Sequence, residues 1–538
     1  MGSMNIQSGI SQKEVRESKR IHLRGIIKTF IILLLIILQI RLIVLILYVL
    51  QKQVPWLSTF ITYATMVVML YIYARNISPS FKLFWILLIV AFPVAGLCIY
   101  VLGGRANANK KMRKKFENVE KRIGEMLTDS HPVPASLREE DPACGNLAHY
   151  LTKFAWSPVY QRTAVNYYSD ASMALKEQID ALKAAKKYIF IEYLTIEDGT
   201  AFHEIKEILI QKATEGVIIR MIYDDMGCTL TLRKSFQKEM ESFGIECRRF
   251  NPILPVLNVF MNNRDHRKLC VVDGTVGFTG GYNIANQYFN ITHPYEYWKD
   301  VGVRIMGEAV RSMTGQFLMM WETLGNEDQN IDKFLNDETK NKDFEKALSS
   351  GSFINSHSYI QPYCDDPLDE ELVSEEIYLT LIRKANHYIW ISTPYLIITD
   401  EIRNELVSAA KKGVDVRIFV PGIPDKKIVN QCTKSYYGRL TVGGVKIFEY
   451  CPGFNHAKLC ICDDRMALVG TANLDYRSLY HHFENGIVIY NNSVITDIKN
   501  DMEHMADVSR QITLSNLIAV PKWKKAARML IRLCAPML

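Results

Sequence analysis

Two histidines, two lysines and two aspartates recur in one arrangement: His266, Lys268 and Asp273 in "HRKLCVVDG", and His456, Lys458 and Asp463 in "HAKLCICDD". Each copy leads into a glycine-bearing segment that ends in asparagine, "GFTGGYN" with Asn283 and "LVGTAN" with Asn473. Side chains alternate along a strand, so each His and Lys share one face while Arg267 or Ala457 points to the other. The apolar residues that follow continue a buried strand, which puts the polar pair at a strand end on a sheet rim. Breaking a phosphodiester at phosphorus takes a nucleophile, a proton donor for the leaving alcohol, and positive charge on the equatorial oxygens. One imidazole can attack and become a phosphohistidine, while the other protonates the leaving alkoxide and then deprotonates the incoming alcohol. Lys268 and Lys458, helped by Asn283 and Asn473, can hold the phosphoryl oxygens, so neither a metal nor a cofactor is expected. The two imidazoles must start in different protonation states, which predicts a bell-shaped pH profile.

Each histidine also needs a partner on its far nitrogen to fix its tautomer. Asp300 in "YWKD", downstream of His266, and Glu484 in "HFEN", downstream of His456, are the candidates. Asp273 and Asp463 end their strands before a turn, so they are expected to brace a loop rather than touch substrate. One such motif alone would be a weak signal. Two copies at matching places in a repeat are a strong one.

The positioning elements repeat as well. "LKAAKKYIFIEYLTI" is matched by "IRKANHYIWISTPYL", and "ATEGVIIRMIYDD" by "AKKGVDVRIFVPG", each a helix running into a Val/Ile-rich strand. The order implies two pseudo-symmetric α/β halves with mixed sheets, residues 161–324 and 353–538, joined by a polar linker over 325–352. Two matched halves favour one composite site at their interface. Asp224 and Asp225 follow a strand at its C-terminal end, and Ser435, Tyr436 and Tyr437 could line a headgroup site, with a core or rim role favoured for the tyrosines.

Residues 1–104 read as a membrane region. Segment 29–50 is long enough to cross a bilayer, which takes about 20 residues, but it carries Arg41. Two cleaner spans within 57–102 read as a helical hairpin, and a basic connector follows over 105–160. Lysines and arginines flank both ends, from Lys13 to Lys28 and from Arg105 to Arg122, which puts the catalytic halves on the cytoplasmic side and leaves the first segment open. At the C-terminus Lys525, Arg528 and Arg532 share a helical face, with Trp523, Met529, Leu530 and Leu533 largely elsewhere. That pattern suits an interfacial helix or one docked on its own domain.

The whole-chain balance, 64 Lys and Arg against 57 Asp and Glu, is only mildly basic, and no basic, aromatic-interleaved groove motif appears, so nucleic acid is not an expected partner. Eleven cysteines without paired or zinc-type spacing suit a reducing compartment.

These residues resemble the phospholipase D superfamily over about 160–510, and "FPVAGLCIYVLGGR", "NRDHRKLCVVDG", "GFTGGYNIANQYF" and "GTANLDYRS" narrow the likeness to the bacterial cardiolipin synthases of that type. The resemblance implies a membrane-anchored, multi-pass protein of the bacterial cell membrane that joins two phosphatidylglycerol molecules and releases glycerol. It implies His266 as nucleophile and His456 as general acid and then base, with phosphatidylglycerol and anionic membrane lipids as partners. A phospholipase D that lets water attack, a transphosphatidylase with another alcohol, and a homodimer all stay open.

Overall fold

The computed structural model describes residues 12–53, 55–103, 110–129, 132–252, 262–328, 331–335 and 358–537. Part of the expected basic connector, 105–109, and most of the expected linker, 336–352, lie outside the described residues.

Segment 29–50 belongs to one long helix, α1, Gln12–Gln53. Its stretch Arg20–Ile46, with Arg41 inside, is long and apolar enough to cross a membrane. The next helix, α2, Pro55–Ala74, has 20 residues. The second span expected within 57–102 is not one helix. It is α3, Pro79–Ala91, followed by α4, Pro93–Gly103, of 13 and 11 residues. At about 1.5 Å per residue neither reaches across a hydrocarbon core of about 30 Å.

Pro93 explains the break. Proline removes an amide donor and pushes the residue before it out of helical geometry, and Phe92 sits at φ −138°, ψ 75°. The two short helices fold back on each other. A Cβ on Gly96 would lie 2.7 Å from the Leu88 carbonyl oxygen and from Ile89 Cα, so only glycine permits the approach. Trp85 packs edge-on against Tyr100 with ring centroids 5.3 Å apart.

This region is seated on the α/β body at several points. Ser80 Oγ and Tyr476 Oη are 2.9 Å apart, and Phe81 packs edge-on against Tyr476, Tyr480 and His481. Lys28 of α1 lies 3.8 Å from Asp225, and a Cβ on Gly25 would collide with Leu230.

The body holds two sheets of the same plan. In spatial order the first is Thr163–Tyr168, Gly302–Gly307, Val276–Gly280, Lys268–Val272, Tyr188–Tyr193, Ile218–Asp224 and Glu246–Phe250. The second runs Tyr359–Asp365, His482–Tyr490, Met466–Gly470, Leu459–Cys462, Tyr388–Ser392, Asp415–Pro421, Lys446–Tyr450 and Ser509–Gln511. Tyr188–Tyr193 pairs parallel with Ile218–Asp224 and antiparallel with Lys268–Val272. Tyr388–Ser392 repeats this with Asp415–Pro421 and Leu459–Cys462. Both sheets are therefore mixed, and strands covered on both faces read as near-continuous apolar runs such as "YIFIEY".

The inner faces share one core. Phe190, Leu269 and Ile305 of the first sheet pack with Ile461, Val469 and Ile489 of the second. The helix Val310–Leu324 contributes Phe317, stacked 4.5 Å from Phe190. That helix is buried almost all round, its polar Ser312, Thr314, Gln316 and Glu322 included.

Two short strand pairs then stitch the halves together. Arg264–Asp265 runs parallel to His482–Phe483, and Gly453–Asn455 runs parallel to Tyr297–Lys299.

Candidate active site

Those two stitches set the site. Asp265 is in register with Phe483, so the next residues, His266 and Glu484, emerge side by side. Asn455 is in register with Lys299, so His456 and Asp300 do the same. The backbone seals both arrangements: His266 N–H donates to the Phe483 carbonyl at 2.9 Å, and His456 N–H to the Lys299 carbonyl at 2.8 Å.

Each histidine is therefore held by an acid from the other half. His266 Nδ1 is 2.9 and 2.8 Å from the two Glu484 oxygens, and His456 Nδ1 is 2.7 Å from Asp300 Oδ2. With Nδ1 of His266 donating to Glu484, its Nε2 keeps a lone pair for attack, whereas Nε2 of His456 lies 2.9 Å from Lys458 Nζ. Gly281 makes room for this, because a Cβ there would collide with the Asp300 carboxylate.

Both lysines turn back along their own strands. Lys268 Nζ donates to the His266 carbonyl at 2.6 Å, and Lys458 Nζ donates to the His456 carbonyl at 2.6 Å while lying against the His456 ring. Lys268, Lys458, Glu484 and Asp300 lie within electrostatic reach of one another, which makes one site rather than two.

Burial dominates the electrostatics. It lowers both imidazoles well below the ordinary histidine value, and Lys458 and Lys268 push His456 further down. Burial also lowers Lys268 to about 8 and Lys458 to about 7. The two acids diverge. Burial pushes Asp300 up to about 6, with Lys458 opposing. Glu484 is buried too, but His266 and His482 beside it hold its carboxyl well below the usual range.

The other expected residues take different places. Asp273 and Asp463 are at φ 52° and 51°, each followed by a second left-handed residue, Gly274 and Asp464, as a tight hairpin turn between antiparallel strands requires. Asp273 accepts from the backbone N–H of Lys186, Lys187 and Tyr188, at 2.8, 2.7 and 2.9 Å. Asp463 does the same for Asn386, His387 and Tyr388, at 2.7, 2.9 and 2.8 Å. They brace loops at the far end of the strand from the imidazoles.

Asn283 accepts from Thr195 N–H and donates to Tyr288 Oη. Asn473 donates to Asp475, and its buried carbonyl oxygen has no hydrogen-bond partner among the described residues. Tyr436 and Tyr437 are core residues, the latter donating to Glu449. Asp224 caps Met226 and Gly227 and lies 3.3 Å from Arg264.

His482 was not singled out from the sequence. It lies two residues before Glu484 on the same face, with Nδ1 3.5 Å from Glu484 Oε1 and its ring centroid 5.2 Å from that of His266. The available signal was the pair of histidines directly ahead of "FEN". Trp298 and Tyr288, each with centroid 5.3 Å from His456, wall that imidazole and were equally unmarked.

Residues 178–321 and 378–506 match the family described as "Cardiolipin synthase, PLD-like domain". A cardiolipin synthase of Alkalihalophilus pseudofirmus is 32% identical over 491 residues, 90% of this chain and 94% of that protein. One from Halalkalibacterium halodurans is 30% identical over 500 residues, covering 89% and 93%. The crystal structure of a phosphatidylserine synthase from Haemophilus influenzae superposes with a TM-score of 0.52 over 70% of this chain and 95% of that one, and at 16% identity it speaks for the fold alone. At these identities and coverages the chain belongs to the cardiolipin synthase family of the phospholipase D superfamily, and it is a phosphatidyltransferase.

Proposed function

We propose that the enzyme joins two phosphatidylglycerol molecules through a phosphohistidine on His266. Nε2 of His266 attacks phosphorus, the bond from phosphorus to the headgroup glycerol breaks, and His456 gives that alkoxide a proton. A hydroxyl of a second phosphatidylglycerol then loses its proton to His456 and attacks the same phosphorus. The phosphorus–nitrogen bond breaks, freeing His266. One phosphodiester replaces another, so no nucleotide is consumed. Lys268 and Lys458 carry the phosphoryl oxygens in both steps.

The observation that carries this reading is the reciprocal bracing of the two histidines, each held at Nδ1 by an acid from the other half. Glu484, held ionised, fixes the tautomer of His266, and Asp300 fixes that of His456. Lipid access is supported by a cavity between the α2–α3 turn and the second half, lined in part by Arg75, Phe81, Trp85 and His482.

We infer further that α1 and α2 cross the cytoplasmic membrane and that α3–α4 dip into it and return. Both basic flanks and the catalytic body then share the cytoplasmic side. Purified enzyme supplied with phosphatidylglycerol alone is expected to give cardiolipin and glycerol in equal amounts. Phosphatidic acid as the main product would replace this reading with a hydrolytic one.

A further inference from the structure

The C-terminal helix Lys522–Leu533 is amphipathic and turns most of its large apolar side chains away from the body. On an ordinary surface helix the apolar stripe faces the core. Here Arg528 and Arg532 face inward beside Ile531, toward the helix Lys427–Val442. Arg528 Nε donates to Gln431 at 3.0 Å, and the Arg532 guanidinium lies 4.3 Å from the Tyr436 ring centroid and 3.9 Å from Asp400.

The opposite arc is bare. Trp523 is 68%, Met529 70% and Leu530 67% exposed, and Leu533 joins them. Ile518 of the preceding short helix Leu514–Ile518 is 77% exposed. Lys522, Lys524 and Lys525 stand exposed around the start of the helix.

We propose that this arc is a membrane contact separate from the N-terminal anchor, lying in the headgroup–acyl boundary of the bilayer. Continuity supports a lipid occupant. The chain runs from the helix straight into the turn Ala535–Met537, where Ala535 and Pro536 are buried and the turn packs against α3. The arc is thus tied to an element of the membrane region. Charge supports it too, since exposed lysines beside an apolar arc match anionic headgroups above acyl chains. The inward arginines hold the helix to the body, so the contact fixes how the catalytic body sits on the surface.

The test uses the full chain in nanodiscs of phosphatidylglycerol and phosphatidylcholine with acyl chains brominated near the headgroup. Trp523 emission is taken as the difference between the wild type and Trp523→Phe, a mild change on an exposed position. At least about twofold quenching by the brominated lipid is expected, with little by aqueous iodide, and Leu530→Asp should reduce the lipid quenching. Emission untouched by brominated lipid overturns the proposal: iodide quenching would then mean a free surface, and shielding from both would mean a second copy of the chain covers the arc. The readout needs no turnover, so it stands or falls separately from the lipid-joining reaction.

Discussion

Nδ1 of His266 lies 2.8 Å from Oε2 of Glu484, a residue 218 positions away in the other half of the chain. His456 leans on Asp300 in the same crossed fashion. Defects should therefore follow the crossing rather than the sequence halves. Glu484→Gln should behave like a weakened His266, slowing formation of the covalent intermediate, and Asp300→Asn like a weakened His456. A loss of at least about tenfold is expected from each. Single-turnover kinetics with quenched-flow capture of the phosphoenzyme distinguishes the two; the opposite assignment would refute the crossed pairing.

His266→Ala and His456→Ala should both lose about a thousandfold or more in turnover of phosphatidylglycerol. They should separate on a phosphodiester with a nitrophenol leaving group, which departs without a proton. His456→Ala is expected to release nitrophenol in a burst and stall as the intermediate, while His266→Ala releases none. A burst from His266→Ala would reverse the two roles.

The pH profile of kcat/KM should be bell-shaped. On the acid side, protonation of His266 removes its lone pair, and burial puts that limb below the ordinary histidine value. Protonation of Asp300 near 6 also removes the acceptor that orients His456. On the alkaline side activity should fall as Lys458 and then Lys268 lose their charge, near 7 and 8. A flat profile across about pH 5 to 9 would contradict this.

Asp273→Ala and Asp463→Ala should damage folding rather than chemistry. Each leaves three backbone N–H groups without their carboxylate. Several of these amides are exposed enough for water to replace it, so about 1–2 kcal/mol is expected from each. Thermal melting should drop while kcat per folded molecule stays near wild type.

Gly281→Ala should reproduce the Asp300→Asn phenotype without altering any ionisable group, because the added methyl group takes the space of the Asp300 carboxylate. A variant with normal His456 chemistry would show that the carboxylate has room to shift.

The repeated α/β plan and the two His/Lys strands were legible because each rests on local signals: strand alternation, glycine stops and a motif written twice. The role of Asp273 and Asp463 was partly legible, since an acid at a strand end before a turn commonly caps backbone amides. That Asp300 and Glu484 orient the imidazoles was legible, but which acid serves which imidazole was not, because the pairing depends on the register of two short strands, Arg264–Asp265 and Gly453–Asn455, that join distant parts of the chain. Hydropathy misread the stretch around Pro93 for a related reason. An apolar window measures length and composition, whereas the fold-back depends on one imino acid and the bare backbone of Gly96. The phosphate-holding role expected of Asn283 depends on a side chain that the fold already engages at both ends.

The cross-half strand pairs carry a further consequence. Each imidazole borrows its tautomer from the opposite half, so separating the halves disarms the nucleophile and the proton donor together. A misassembled or partly unfolded molecule inserted in a bilayer is therefore expected to be inert. It should not become a loose hydrolase eroding the lipids around it. The reciprocal wiring works as an interlock, in which chemistry switches on only when assembly is complete.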